Sequence, residues 1–209
     1  MRFHDRTQAG VMLRDRLLET LKLKEPVVCA LPRGGVVVAA PIAQALRTPI
    51  VPLGVRKIGA PGHEEFAIGA LAEEGEIFMD NRAIKTHGFS WNDIEAVIDN
   101  ERAEMKRRLK TYRGDEPLPS LKGKSVLVID DGLATGTTMQ VCCQMLRKKQ
   151  PALLLVAVPV ASREAVENLK DVADDVVALH IPKDFHAVGE FYSFFPQVDD
   201  KEVLHYLEK

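Results

Sequence analysis

Much that would narrow a function is scarce in this chain. Cysteine occurs three times, at Cys29, Cys142 and Cys143, with no CxxC pair and no zinc-ligand spacing. That excludes a disulfide framework and fits a reducing cytoplasm. No apolar run approaches the roughly 18 residues of a membrane helix. The first ten residues, MRFHDRTQAG, lack the apolar core of a secretion signal. Charge of one sign is not in excess: 28 Lys and Arg stand against 30 Asp and Glu, a formal net charge of −2. There is therefore no global basic field for nucleic acid or anionic lipid. Two common phosphate-binding signatures, the GK[ST] ending of a Walker loop and the GxGxxG of a dinucleotide fold, are missing. Internal repeats and low-complexity tracts are missing too.

What is present is one substantial core. The chain has 209 residues, 46% of them hydrophobic, which fits one domain with an appendage better than two full domains. Asp5, with Gln8 three residues on, marks a helix start, and Ala9, Leu13, Leu17 and Leu21 continue it on one face. VVCAL (27–31) reads as a buried strand ending in Pro32, Arg33 and two glycines, before a helical run to about Arg47. IVPLGV (50–55) reads as the next strand, completing a βαβ unit. KIGAPGHEEF mixes Gly, Pro and charge and is expected to be a mobile loop; AIGALAEEGEIFM then reads as two short strands about a Glu-Gly turn.

From Trp91 to Tyr112 the pattern is an amphipathic helix, with Trp91, Ile94, Val97, Ile98, Met105, Leu109 and Tyr112 on one stripe. Its tail, Arg102, KRRLK (106–110) and Arg113, reads as a solvated face at a helix C-terminus rather than a nucleic-acid patch. Three more apolar strands, 125–130, 152–158 and 176–181, alternate with helical segments. The expected fold is a single Rossmann-like α/β domain: a central, mostly parallel sheet flanked by helices, with a loop or hairpin insertion. Its core covers about 25–180. Phe185, Phe191, Tyr192, Phe194 and Phe195 crowd a segment of different composition, which marks a small C-terminal hood from about 181 to 209, to which the N-terminal segment contributes.

VLVIDDGLATGTT (126–138) carries the chemistry. Ligands of open α/β sheets bind beyond the carboxyl ends of the strands, and Asp130 and Asp131 sit at such an end. Gly136 permits a tight turn. A helix opening near Thr138 would aim free amides and the positive end of its dipole at an anion, with the Thr135, Thr137 and Thr138 hydroxyls as further donors. Ionised carboxylates only accept hydrogen bonds, so the aspartates suit a hydroxyl pair and not the phosphate. A ribose 5-phosphate satisfies both halves. A lone Asp-Asp after a strand more often caps a turn; the full string is far more specific.

These thirteen residues resemble the phosphoribosyl pyrophosphate signature of type I phosphoribosyltransferases. The resemblance implies that Asp130 and Asp131 hold the ribose hydroxyls, and magnesium mainly through those hydroxyls or water, while Ala134, Thr135, Gly136, Thr137 and Thr138 hold the 5-phosphate. ALPRGG (30–35) matches the family's pyrophosphate loop, often built on a non-proline cis peptide, with Arg33, Gly34 and Gly35 gripping the leaving group. Arg56 and Lys57 match the Arg-Lys pair that opens a mobile catalytic loop in adenine and orotate enzymes; here that loop would run from Ile58 to Phe66 and offer His63, Glu64 and Glu65. IPKDFHAVGEFY (181–192) is similar to a base-binding hood, with Phe185 stacking on the base and backbone near Ala187 and Val188 reading its edge. Aromatics in such a lobe are more often local core, and exposed polar loop residues more often simply face solvent.

Two departures bear on specificity. Hypoxanthine–guanine enzymes carry an acidic base where Ala134 stands, and their purine-reading lysine has no match in LLLVAVPV. The order of elements resembles a group of bacterial and archaeal members whose acceptor is not settled. The resemblance implies a magnesium-dependent cytoplasmic enzyme, commonly a homodimer, with Asp130, Asp131, Lys57 and Arg33 as its catalytic set. It would transfer 5-phosphoribosyl from phosphoribosyl pyrophosphate to a nitrogenous base. The alternatives are a regulator that binds the same ligand without turnover, or a nucleotide-processing hydrolase.

Overall fold

The structure is a computed structural model that describes residues 1–208; Lys209 and the side chain of Glu65 lie outside the described residues. Helix α1 (Arg6–Thr20) starts where Asp5 accepts a hydrogen bond from the Gln8 amide. The Gln8 side chain returns to the His4 amide at 2.7 Å, one residue earlier than a strict capping box. Strand β1 (Val27–Ala30), helix α2 (Gly34–Leu46) and strand β2 (Ile50–Pro52) form the first βαβ unit. Strands β3 (Val55–Ala60), β4 (His63–Ala72) and β5 (Ile77–Met79) follow, then helices α3 (Asn81–His87) and α4 (Trp91–Arg113). Strand β6 (Ser125–Ile129), helix α5 (Thr137–Arg147), strand β7 (Leu153–Val160), helix α6 (Arg163–Leu169), strand β8 (Asp175–His180) and helix α7 (Asp200–Leu207) complete the order.

The main sheet runs β2-β1-β6-β7-β8, parallel throughout. Alternate strand residues feed opposite faces. Cys29, Val126, Val128, Val156 and Val158 pack under α5 and α6 with Met139, Cys142, Cys143 and Leu146. Val28, Ala30, Leu127, Ile129 and Leu155 pack under α1 and α2 with Leu13, Leu17, Val36 and Ile42. Both faces are covered, which explains why the strands read as unbroken apolar runs. The chain leaves β1 toward β2 on one side and returns through β6, β7 and β8 on the other. The β1–β6 boundary is therefore the topological switch point, where the loops after two neighbouring strands part and leave a crevice.

Three expectations change. The run 50–55 is not one strand: it breaks at Leu53–Gly54, and β3 joins a separate antiparallel sheet, β3-β4-β5. Gly54 sits where a Cβ would fall 2.5 Å from Leu109 Cδ1, so the chain turns there against α4. Residues 58–66, expected as a mobile loop, form a β-hairpin in which Ala60 pairs with His63 across Pro61-Gly62. Gly62 has φ +75°, the third-position geometry of a Pro-Gly type II turn. Trp91 leaves the stripe of α4 and is 59% exposed; Ile94, Met105 and Tyr112 carry the buried face. The basic tail of that helix is largely internally paired: Arg102 to Asp99, Arg107 and Arg108 to Glu104, and Arg113 to Glu73.

Beyond β8, Phe3 forms a parallel bridge with Tyr192, so the N-terminal segment and the aromatic segment pack together. Among the described residues, no helix is long and apolar enough to cross a membrane.

Candidate active site

The loops at the switch point interlock. A Cβ on Gly34 would fall 1.9 Å from Asp131 Oδ2, and one on Gly35 2.7 Å from the Ile129 carbonyl and 3.0 Å from Asp130 Cα. Glycine is required at both positions because the loop after β1 lies directly on the acidic pair after β6. The Pro32–Arg33 peptide is cis. Gly35 donates its amide to the Leu31 carbonyl at 3.1 Å, so the Arg33–Gly34 backbone and the Arg33 guanidinium remain as the donors of this loop.

Each aspartate commits one oxygen to the protein. Asp130 Oδ1 accepts from the Asp131 amide at 2.8 Å. Asp131 Oδ2 accepts from Arg6 Nε at 2.7 Å. Among the described residues, Asp130 Oδ2 and Asp131 Oδ1 take no hydrogen bond, so each carboxylate keeps one acceptor atom. Burial, and then the neighbouring Asp131 charge, push the Asp130 carboxyl well above the usual range. Burial also pushes Asp131 up, with the Arg6 guanidinium working against it. The pair is a concentration of negative charge with one cation against it, and it favours a ligand that brings hydroxyl donors or a metal ion.

The anion half lies next to it. Gly136 has φ +76° and forms the N-cap of α5 without a side-chain cap. The Ala134 carbonyl accepts from Ser162 Oγ, and the Thr135 carbonyl accepts from Asn168 Nδ2 at 3.0 Å. In a trans peptide the carbonyl of one residue and the amide of the next point in opposite directions. Anchoring these two carbonyls on α6 and its cap therefore turns the Thr135 and Gly136 amides the other way, beside the first-turn amides of α5. Thr135 and Thr137 bring their hydroxyl oxygens within 3.2 Å of each other. This is an anion cradle made of backbone, dipole and hydroxyls.

The hairpin supplies the cations. A cleft of about 480 Å³ is lined by Pro32, Arg56, Lys57, Glu64, Glu101 and Thr138, among others. It thus joins the loop after β1, the hairpin, helix α4 and the start of α5. Arg56 is held by Glu101, Nε to Oε2 at 2.6 Å, while Lys57 is exposed at the cleft. Glu64 lines the cleft, and His63 is exposed at the hairpin turn. The Glu65 side chain, offered by the sequence as another loop candidate, lies outside the described residues. Among the described residues, no group of three or more His, Cys, Asp or Glu side chains is arranged to hold a metal by protein ligands alone.

The aromatic segment closes the far side. Val188 packs onto Gly132, where a Cβ would fall 2.5 Å from Val188 Cγ1. Tyr192 donates its hydroxyl to the Asp131 carbonyl at 2.6 Å. Phe185 is half-buried and stacks on Phe191 with ring centroids 5.3 Å apart. One of its faces is thus used within the hood. Ala187 is exposed and precedes the 3-10 turn of 188–191.

Arg6, Ser162 and Asn168 are supporting side chains that the sequence does not single out, and Tyr192 is read there only as one of the hood aromatics. Each acts across at least 28 positions of the chain, where no local pattern signals the contact.

Residues 8–193 match the phosphoribosyl transferase domain family. A curated relative from Mycobacterium tuberculosis (strain H37Rv), named "Putative phosphoribosyl transferase", is 36% identical over 207 residues, 99% of this chain and 46% of its own. The chain thus spans less than half the length of that relative. The crystal structure of TT1426 from Thermus thermophilus is 42% identical and superposes with a TM-score of 0.79, covering 99% of this chain and 98% of its own. A hypothetical protein from Neisseria gonorrhoeae, in a structure with bound ppGpp, shares 16% identity and a TM-score of 0.51 over 100% of this chain and 97% of its own, a likeness of fold alone.

Proposed function

The chain belongs to the phosphoribosyl transferase domain family, and from that premise we propose that it transfers a 5-phosphoribosyl group from phosphoribosyl pyrophosphate to a ring nitrogen of a heterocyclic base, releasing pyrophosphate. The observation that carries this reading is the meeting, at one switch point, of two half-committed carboxylates, an anion cradle and a glycine loop laid on both.

Breaking the bond between C1 and the pyrophosphate oxygen leaves oxocarbenium character on the sugar and negative charge on the leaving group. Catalysis here is orientation and charge stabilisation. Asp130 and Asp131 accept from the two ribose hydroxyls, and the 134–138 loop holds the 5-phosphate, which fixes C1 between the loop after β1 and the hood. Arg33 and the Gly34 amide take the pyrophosphate from one side, and Lys57 reaches it from the cleft. Glu101 holds Arg56 in place beside Lys57. The hairpin with His63 and Glu64 covers this side and limits water, which otherwise hydrolyses the activated sugar. Phe185, Ala187 and Val188 border the space left for the base.

The donor set fits magnesium. Arg6 offsets only one of the two acidic charges, and magnesium is usually held through one or two carboxylates together with substrate oxygens and water. When bound it would neutralise the pyrophosphate. Three buried free thiols, Cys29, Cys142 and Cys143, suit a reducing cytoplasm, and the family likeness suits a homodimer.

Mass spectrometry of the products tests the reading. Protein, phosphoribosyl pyrophosphate, magnesium and a panel of purine and pyrimidine bases should yield one nucleoside monophosphate above the no-enzyme control. Ligand binding with no nucleotide from any base would instead favour a sensor that does not turn the ligand over.

A further inference from the structure

One side chain bridges the two sides of this site. Arg6 is buried in the first turn of α1. Its Nε donates to Asp131 Oδ2 at 2.7 Å. Its Nη1 donates to the Pro196 carbonyl at 2.7 Å. The flat guanidinium lies 3.7 Å above the Phe195 ring. Phe195 stacks in turn on Tyr192, centroids 4.7 Å apart, and the Tyr192 hydroxyl returns to the Asp131 carbonyl. Gly34 closes the arrangement: a Cβ there would fall 1.9 Å from Asp131 Oδ2 and 2.9 Å from Arg6 Nε.

We infer that Arg6 is a positioning residue that ties the hood to the donor pocket, aiming Asp131 at the ribose while holding the 195–196 segment against it. This rests on the proposed ribose-phosphate site and adds a residue to it. Arg6 occupies Oδ2 and so presents Oδ1 to the ligand. The same guanidinium fixes Pro196 and Phe195, so the hood segment and the ribose side are set by one rigid group. A planar fork with donors along two edges and a stackable face is needed for all three contacts. A lysine ammonium is a point donor at the end of a flexible stem and lacks both the fork and the flat face.

Calorimetric binding of ribose 5-phosphate, with inorganic phosphate as the probe of the cradle alone, tests this. The proteins are wild type, Arg6→Lys, Arg6→Gln, Asp131→Asn and the Arg6→Gln/Asp131→Asn double variant. Affinity for ribose 5-phosphate should fall at least 10-fold in Arg6→Gln and in Arg6→Lys. Affinity for inorganic phosphate should stay within 2-fold. The double variant should bind ribose 5-phosphate no more weakly than Asp131→Asn, because Arg6 acts through that carboxylate. Losses that multiply in the double variant, or phosphate affinity falling in parallel, would overturn the inference in favour of a role in folding alone. If Arg6→Gln does not fold, Arg6→Lys, which keeps the charge without the fork, supplies the second route, and the same selective loss is expected. Unchanged ribose 5-phosphate affinity in Arg6→Lys would contradict it. A wild-type protein that binds neither probe would sink the ribose-phosphate reading itself.

Discussion

At the scale of single residues, the site is defined by where hydrogen-bonding capacity is spent. Asp130 and Asp131 each give one oxygen to the protein, and in the proposed function the other oxygen accepts from a ribose hydroxyl. Hydrogen bonds to charged groups contribute about 1.5–3 kcal/mol each. Replacing both by Asn should therefore weaken ribose 5-phosphate binding by well over 10-fold in a titration; unchanged affinity would remove the diol assignment. Gly136 is a second test at this scale. Its φ is +76°, and a Cβ there would meet Ala165 Cβ at 3.1 Å and Cα at 3.2 Å. Gly136→Val should cost about 1–3 kcal/mol in unfolding experiments and abolish phosphate binding. The signature residues are legible in the sequence because strand, acidic pair, glycine and helix start are contiguous. Arg6 is not: an Arg in the first turn of a helix looks like any surface cation until the fold brings Asp131 to it.

At the scale of elements, the apolar strands and the long helix declare themselves by run length and period. The hairpin does not. Its Gly, Pro and charged residues describe the Pro61-Gly62 turn and two exposed edges, and the strand signal within 58–66 is confined to Ile58 and Ala60, which face a small core with Ile68, Ile84, Ile94 and Met105. Gly54 likewise hides a change of sheet inside what reads as one strand. Helix α4 offers a pH test. Hydrogen bonds from Arg107, and then Arg108, hold the Glu104 carboxyl down at about 2. A depressed carboxylate contributes stability above its unfolded value, which for glutamate is about 4.3, and loses it as pH falls through the folded one. Because these groups are largely exposed, the contribution is small. Denaturant unfolding should show wild type slightly more stable than Glu104→Gln at pH 6, and the two should converge as pH falls from about 4.5 toward 2. A constant difference across that range would show that the effect does not come from the ionised Glu104 carboxylate.

At the scale of the whole molecule, function follows from topology. Parallel strands put every carboxyl end on one edge, and the divergence of the chain at β1 and β6 places two loops from distant sequence on one another. The sequence shows that strands and helices alternate, but it does not show the order β2-β1-β6-β7-β8, because any of several orders would bury the same apolar faces. The hood is legible as an aromatic-rich segment. Its docking on Phe3 and Arg6 is not, since the partners lie some 190 residues apart. The acceptor is the least legible feature for the same reason: the hood reads as composition, and Phe185 spends one face on Phe191.

Base-dependent pyrophosphate release tests the central claim most directly. With phosphoribosyl pyrophosphate and magnesium, ³¹P NMR should show pyrophosphate and a nucleotide monophosphate appearing together, in equal amounts, only when one particular base is added. The Asp130→Asn/Asp131→Asn protein should show neither. Pyrophosphate release that is the same with and without every base, or no release at all from a protein that binds the donor, would contradict a phosphoribosyl transfer to a base.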